Sequence, residues 1–312
     1  MQKIFQFISG FILFISMNMA YTQTPSDALF MKKNELCFAL QGSTDNWNMY
    51  WEGNLYRENL NIGKLSRNSI LPMLAYGITD RLNFMIMIPY VKTEPSGGQM
   101  VGASGWQDLS LFMKYRLTDH NMGLFNFQSF LTGGYSLPAS GYLSDYMPFS
   151  LGLGTNEWSM RAIFKAEYKD QVYFRGSAAY LHRTTTEAER NYYYADKGYY
   201  TTTMDVPDAS NIELALGGWI FKRSFQAEIS HITHTSLSGD DIRRQNQPQP
   251  TNRMSFTSFN TRLRYFAPFA KGFSIFANYT DTLSGQNIGD STVWAGGITY
   301  QFYVKKSHLL NH

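Results

Sequence analysis

The stretch that decides the fold lies between Tyr76 and Leu117. It reads YGITDRLNFMIMIPYVK over 76–92 and, after a loop of small residues, GWQDLSLFMKYRL over 105–117. From Leu109 onward the odd positions are apolar or aromatic, and the even positions are mostly polar or charged. Side chains alternate between the two faces of a β-strand, so this pattern predicts a strand with one apolar and one polar face. A soluble sandwich turns the apolar face inward, whereas a membrane barrel turns it to lipid.

The alternation recurs along the chain, and its clearest instance runs from Glu157 to Tyr168. Its even positions are all apolar or aromatic, whereas its odd positions include Glu157, Arg161, Lys165 and Glu167. We therefore expect Phe164 to face lipid and Lys165 to face the interior of a barrel. A register slip of one residue would move the charges into hydrocarbon, at roughly 2–4 kcal/mol for each Arg or Lys near the midplane.

The lengths of the connections favour a barrel over a sandwich, because they alternate between short and long. The short connections are 79–81, 118–123, 169–170, 222–223 and 267–272; the long ones are 92–104, 138–155, 184–210 and 237–252, with 284–290 of middle length. Short turns in the periplasm and longer loops outside the cell are typical of outer-membrane barrels. A sandwich has no reason to keep that order.

The segments from Lys64 to Tyr303 amount to about eleven strands, and a first strand between Asn34 and Arg57 brings the total to about twelve. The predicted fold is therefore all-β, an antiparallel transmembrane β-barrel of about twelve strands with both chain ends in the periplasm. The alternation is least regular in the first strand, because the run from Gly42 to Asp45 interrupts it. We expect one long irregular strand there, or one strand preceded by a periplasmic segment.

The start of the chain has the features of a secretory signal, predicted over 1–23. Lys3 supplies a positive charge, Ile4 to Met17 is largely apolar, and Ala20 is a suitable residue before the cut. The alternative is a membrane anchor, but the apolar run falls short of the roughly 20 residues that span a bilayer. No later compositional boundary appears, so we predict that 24–312 is a single outer-membrane barrel domain.

Composition narrows the classes of function further. The net charge is only +3 and no run of Lys or Arg occurs, so nucleic acid is not an implied partner. Aromatic residues make up 16% of the chain, which suits the aromatic girdles of a membrane barrel. Cys37 is the only cysteine, so it forms no internal disulfide, and we expect a buried or lipid-facing small apolar residue.

Charged side chains on the inward parity form the most informative set of candidate residues. These lumen-facing candidates are Lys114, Arg116, Arg161, Lys165, Arg175, Arg262, Arg264, Glu157, Glu213 and Glu228. One interpretation is a polar pathway with some preference for anions. The other is a lumen plugged by salt bridges between these groups. A barrel of roughly twelve strands lies between filled small barrels and open porins, so both remain open.

The longest predicted outer loop carries a cluster of tyrosines, which either contact a ligand or pack among the loops. They are Tyr192, Tyr193, Tyr194, Tyr199 and Tyr200. His231 and His234 lie three apart and face opposite sides of a strand, so they do not share a metal ion. Asp240 and Asp241 make a weak cation site, for which a solvated loop is the better interpretation. We assign no catalytic residue, no metal ligand and no cofactor.

The motifs of the opening stretch resemble the outer-membrane family named for the MetA pathway of phenol degradation. They are YGITDR at 76–81, Pro89-Tyr90, the Gly-x-x-Asp-Leu-x-Leu motif at 105–111, and Lys114-Tyr115-Arg116; the run 148–155 resembles a Gly-rich loop of that family. The resemblance implies a barrel that passes small, often hydrophobic, compounds. One departure is the end of the chain, where Phe302-Tyr303 is followed by a tail instead of closing on the aromatic residue that the barrel-assembly machinery usually recognises.

The sequence thus predicts an outer-membrane channel for passive passage of small compounds, with membrane lipid and an unidentified solute as partners. A structural or binding barrel of the adhesin kind, with a closed lumen, is the alternative. An outer-membrane hydrolase is a weaker alternative, because no nucleophile-elbow motif occurs.

Overall fold

The computed structural model describes residues 23–243 and 247–304. The predicted signal, apart from Gln23, lies outside the described residues, as does the tail from 305 onward. No helix among the described residues is long and apolar enough to cross a membrane.

Twenty strands and no helix occur in the described parts of the chain. The strands are β1 (Glu35–Trp47), β2 (Met49–Glu52), β3 (Leu55–Glu58), β4 (Leu65–Thr79), β5 (Leu82–Met87), β6 (Tyr90–Pro95), β7 (Ser104–Trp106), β8 (Asp108–Met122), β9 (Phe125–Pro138), β10 (Glu157–Tyr168), β11 (Val172–Arg183), β12 (Thr185–Glu187), β13 (Tyr193–Tyr194), β14 (Gly198–Tyr199), β15 (Thr203–Asp205), β16 (Ala209–Ile220), β17 (Phe225–Ser236), β18 (Ser255–Phe266), β19 (Phe273–Gln286) and β20 (Thr292–Tyr303).

The long strands form one closed antiparallel barrel. Each pairs with its neighbours in the order β1-β20-β19-β18-β17-β16-β11-β10-β9-β8-β5-β4, and β4 pairs back with β1. β5 and β6 are two halves of one crossing, separated at Ile88 and Pro89, where proline supplies no N–H to the ladder. The result is a barrel of twelve crossings, which confirms the predicted fold.

The first crossing is a single strand and is regular throughout. β1 is 13 residues long and pairs with both neighbours across the run from Gly42 to Asp45. Ser43 and Asp45 do not interrupt the strand because they face the interior. Ser43 Oγ lies 2.7 Å from Ser69 Oγ, and Asp45 accepts a hydrogen bond from Ser291. The expected irregularity is therefore wrong, and 48–64 forms an outer loop that carries the β2–β3 hairpin.

The register of β10 determines which of its side chains point out of the barrel and which point into it. Phe164 points out of the barrel and is 45% exposed, whereas Lys165 lies inside and is 6% exposed. Trp158 and Met160 share the outward face of Phe164. The exposed face of the barrel is thus apolar, as a surface in contact with lipid must be.

The interior is packed beside the first strand by chain that precedes it. Met31 is fully buried against Cys37, Ala75 and Met85, so the cysteine faces the lumen and not lipid. The N–H of Asn34 donates to the carbonyl of Gly77 at 2.8 Å. A side chain at Gly77 would collide with the carbonyl oxygen of Lys32, so the close approach of the two chains requires glycine there.

Replacing Phe164 with Arg is expected to block assembly of the barrel, because a charge on the lipid face near the midplane costs about 2–4 kcal/mol. Phe164→Leu keeps the surface apolar and should assemble normally. Lys165→Ala should also assemble, because Glu167 keeps its ion pair with Arg223 at 2.9 Å. Heat-modifiable mobility of the membrane fraction on a gel measures assembly. Normal assembly of Phe164→Arg together with failure of Lys165→Ala would reverse the assigned faces.

The alternation of long and short connections predicts which side of the membrane each one faces. Epitope tags at Asp196 and Gln247, in long loops, should be stained by antibody on intact cells. Tags at Asp80 and Lys222, in short turns, should be stained only after the cells are permeabilised. The opposite staining pattern would invert the topology.

Candidate functional site

The candidate site is the lumen, and its central feature is the chain segment 23–34, here called the N-terminal segment. Lys114 Nζ donates to the carbonyl oxygens of Thr24 at 2.6 Å and Asp27 at 2.8 Å, and lies 3.2 Å from Asp27 Oδ1. Arg175 Nη1 donates to the carbonyl of Ser26 at 2.8 Å. Two buried cations of the wall therefore hold the backbone of this segment inside the barrel.

Aromatic contacts hold the second half of the N-terminal segment. The ring of Phe30 stacks on Phe130 with centroids 5.8 Å apart, and the guanidinium of Arg116 lies 5.0 Å from the Phe30 ring centre. Arg116 also donates to the carbonyl of Asp80 at 2.6 Å, in the short turn after β4. The segment thus enters the lumen from the rim that carries the short turns.

Ion pairs fill the lumen beside the N-terminal segment. Arg175 Nη2 lies 2.6 Å from Glu213 and 2.9 Å from Glu228, and Arg262 lies 3.6 Å from Glu228. Lys165 pairs with Glu167. The cavity left among these groups is only about 10 Å³, which is room for about one water molecule. At this level the lumen is closed.

Two further interior cations have no ion-pair partner in the parts of the chain that the structure describes. Arg161 donates to Ser177 Oγ at 3.0 Å and to Asn211 Oδ1 at 3.1 Å. Arg264 donates to Gln226 Oε1 at 3.4 Å. Nearer the long loops, Glu157 pairs with Arg183 at 2.9 Å. Of the ten lumen-facing candidates, the structure brings eight together around the N-terminal segment: Lys114, Arg116, Lys165, Arg175, Arg262, Arg264, Glu213 and Glu228.

A second segment closes the outer end of the lumen, and the residue that holds it was missed in the sequence. The connection 139–156, here called the inner loop, turns back into the barrel, where Phe149 is fully buried. Arg67 of β4 donates to the carbonyls of Ser150 at 3.2 Å and Leu151, and Thr93 Oγ1 donates to the carbonyl of Phe149 at 2.8 Å. The alternation along β4 places Arg67 on the inward face, but its partners in the inner loop lie more than 80 residues away in sequence.

Above the inner loop lies a cavity of about 610 Å³, here called the outer cavity. It is bounded by the loops that follow β1, β6, β9, β17 and β19. Its apolar lining is Trp47, Ile62, Met100, Met147, Pro148, Phe149, Ile242, Pro248, Met254 and Ile288. Its charged lining consists, within the described residues, of Glu52, Arg57 and Arg243. No charged residue of this cavity was singled out from the sequence, because the loops that form it are far apart in the chain.

The tyrosine cluster packs mainly within its own loop. Tyr193 stacks on Tyr199 with centroids 5.0 Å apart, and Tyr192 lies 4.9 Å from Tyr200. The guanidinium of Arg243 lies 4.5 Å from the centre of the Tyr194 ring, which connects this loop to the outer cavity. The tyrosine rings thus contact one another within their own loop and, at Tyr194, Arg243 of a neighbouring loop.

The histidines and the acidic pair have local partners. His231 faces outward and His234 inward, where it stacks on Phe256 at 5.2 Å. His182 Nδ1 lies 3.2 Å from Asp208. Burial raises the pKa of Asp208, but hydrogen bonds from Tyr180 and from the N–H of Arg183 outweigh burial, so the pKa is lowered overall. Asp240 accepts from Thr251 at 2.7 Å and Asp241 from Asn287 at 2.8 Å. No cluster of three or more His, Cys, Asp or Glu suited to a metal ion occurs within 23–243 and 247–304.

Comparison with known proteins adds information about the fold. No protein-family model and no curated protein matches the sequence. Among solved structures, the chain is similar to the COG4313 outer membrane channel from Pseudomonas putida F1, at 14% identity and a TM-score of 0.72, over 90% of this chain and 100% of that one. The translocator domain of the autotransporter NalP from Neisseria meningitidis matches at 12% identity over 89% of this chain and 91% of that one. Its TM-score is only 0.47, so it carries no weight. The first likeness shows that this chain has the fold of an outer-membrane barrel, in agreement with the sequence resemblance.

Proposed function

We propose that this protein is a channel of the bacterial outer membrane that passes small apolar compounds passively. The observation that carries the proposal is that two segments of chain, which are not strands of the barrel, occupy the lumen. The N-terminal segment and the inner loop are held by side chains of the wall, chiefly Lys114, Arg175 and Arg67. Contacts of this kind can be exchanged for water without breaking any strand pairing, because the ladder does not include them.

The apolar class of solute is supported by the outer cavity. Ten of its described lining residues are apolar, and one of them is Phe149, the fully buried residue of the inner loop. A solute in the outer cavity therefore contacts the inner loop, the segment that has to move for the lumen to open. The similar Pseudomonas protein is described as an outer membrane channel, which supports the same function for this chain.

A closed binding or structural barrel is the competing function, and the ion pairs of Arg175 favour it. Their buried carboxylates and the N-terminal segment leave no continuous path in the arrangement described above. The two functions differ in ion conductance, because only a channel allows ions to cross a bilayer when the N-terminal segment is displaced.

Replacing residues 23–31 with a Gly/Ser sequence of equal length is expected to raise the single-channel conductance in a planar bilayer several-fold. The replacement removes Asp27, the Phe30 ring and the buried Met31, so the segment loses its side-chain contacts with the wall. The barrel strands begin at Glu35 and are unchanged. The wild-type protein should show a low conductance with brief openings.

The matched control is a Gly/Ser replacement of 195–197, a tip of the tyrosine loop outside the lumen, which should conduct like the wild type. Equal conductance of wild type and N-terminal variant would show that the side chains of the segment do not keep the pathway closed. Absence of conductance in both, with heat-modifiable barrels in the membrane, would favour the closed barrel. A lipid-ester assay of the same preparations tests the hydrolase alternative.

A further inference from the structure

We infer that the outer cavity binds small apolar molecules that carry a single carboxylate, with Arg243 as the residue that recognises the charge. The inference rests on the proposed function, because it names the class of solute that the channel takes up at its outer end.

The apolar part of such a ligand is matched by the size and lining of the cavity. Its volume of about 610 Å³ lies within the roughly 300–1,000 Å³ typical of sites for small molecules. Met100, Met147 and Phe149 contribute thioether and aromatic surface to it. Methionine is flexible and polarisable, and its sulfur makes favourable contacts with aromatic rings. A planar apolar ring is therefore a suitable occupant.

The charge of the ligand follows from the ionisable groups of the lining. Within the described residues the groups charged at neutral pH are Glu52, Arg57 and Arg243. Glu52 and Arg57 form an ion pair with each other, so the Arg57 charge is compensated. No carboxylate of the described residues forms an ion pair with Arg243. The described lining therefore carries a net positive charge, centred on Arg243.

The position of Arg243 suits recognition of a carboxylate. Its guanidinium lies 4.5 Å from the centre of the Tyr194 ring, a cation–π contact that holds the group beside the ring. The N–H donors of a guanidinium lie along its edge, in a fork that matches the two oxygens of a carboxylate. A neutral molecule of the same shape cannot accept that pair of charge-assisted bonds, and an ammonium group is repelled.

Equilibrium dialysis of the purified full-length protein in detergent tests the inference with three ring compounds that differ only in their polar group. Benzoate is expected to bind more tightly than the neutral benzamide, and benzylamine more weakly than either. Arg243→Gln should weaken benzoate binding by about tenfold or more, the range for loss of hydrogen bonds to a charged group, and leave benzamide binding unchanged.

The matched control is Lys197→Gln, which removes a cation that also lies over a tyrosine ring, Tyr199 at 5.4 Å, but lies outside the cavity. It should leave benzoate binding unchanged. A second variant, Met147→Glu, places a negative charge in the lining and should weaken benzoate more than benzamide. Heat-modifiable mobility verifies that each variant is folded.

Equal binding of benzoate and benzamide to the wild type would overturn the inference, as would full benzoate affinity in Arg243→Gln or the absence of binding by all three compounds. None of these results affects the conductance of the N-terminal variant, which is measured without solute. Failure of the ligand assignment is thus distinguishable from failure of the channel function.

Discussion

The rest of the structure depends on the fact that hydrocarbon offers no hydrogen bonds to a backbone. A sheet in lipid must close on itself, because each unpaired N–H or C=O at an open edge costs several kcal/mol. Closure is achieved here by the pairing of β1 with both β20 and β4. It also divides every strand into an outward apolar row and an inward row that is free to be polar. Most charges that the crossings carry are therefore collected in one narrow interior.

That collection of charges explains why the interior is filled. A buried cation without a partner is strongly unfavourable, so Arg175 takes two carboxylates and a backbone carbonyl, and Lys114 takes Asp27 and two carbonyls. The N-terminal segment supplies several of these acceptors. It acts as a ligand of the wall in the chemical sense, since its carbonyl oxygens complete the solvation of buried side chains that water would otherwise hydrate.

The sequence predicted the features that follow from local alternation and failed for those that depend on distant contacts. The opposite directions of Phe164 and Lys165 follow from their parity alone, because one face meets lipid. Gly42 to Asp45 was misread as an interruption, since a serine and an aspartate inside a barrel look like turn residues in a linear sequence. Asp27 was not found, because the segment around it has no periodicity and its partner Lys114 lies 87 residues away. Arg67 and Arg243 were missed for the same reason.

The N-terminal segment is covalently joined to the wall at Glu35, and this short connection has a kinetic consequence. A binding partner on a short flexible linker has an effective concentration on the order of millimolar at its site. The segment therefore returns to the lumen by an intramolecular step whose rate does not depend on how much protein the membrane holds. Any solute in transit competes with a tethered rival that is always present. Openings should accordingly be brief. The net flux should be limited by the solute concentration at which solute and segment occupy the lumen equally often, and not by the width of the barrel.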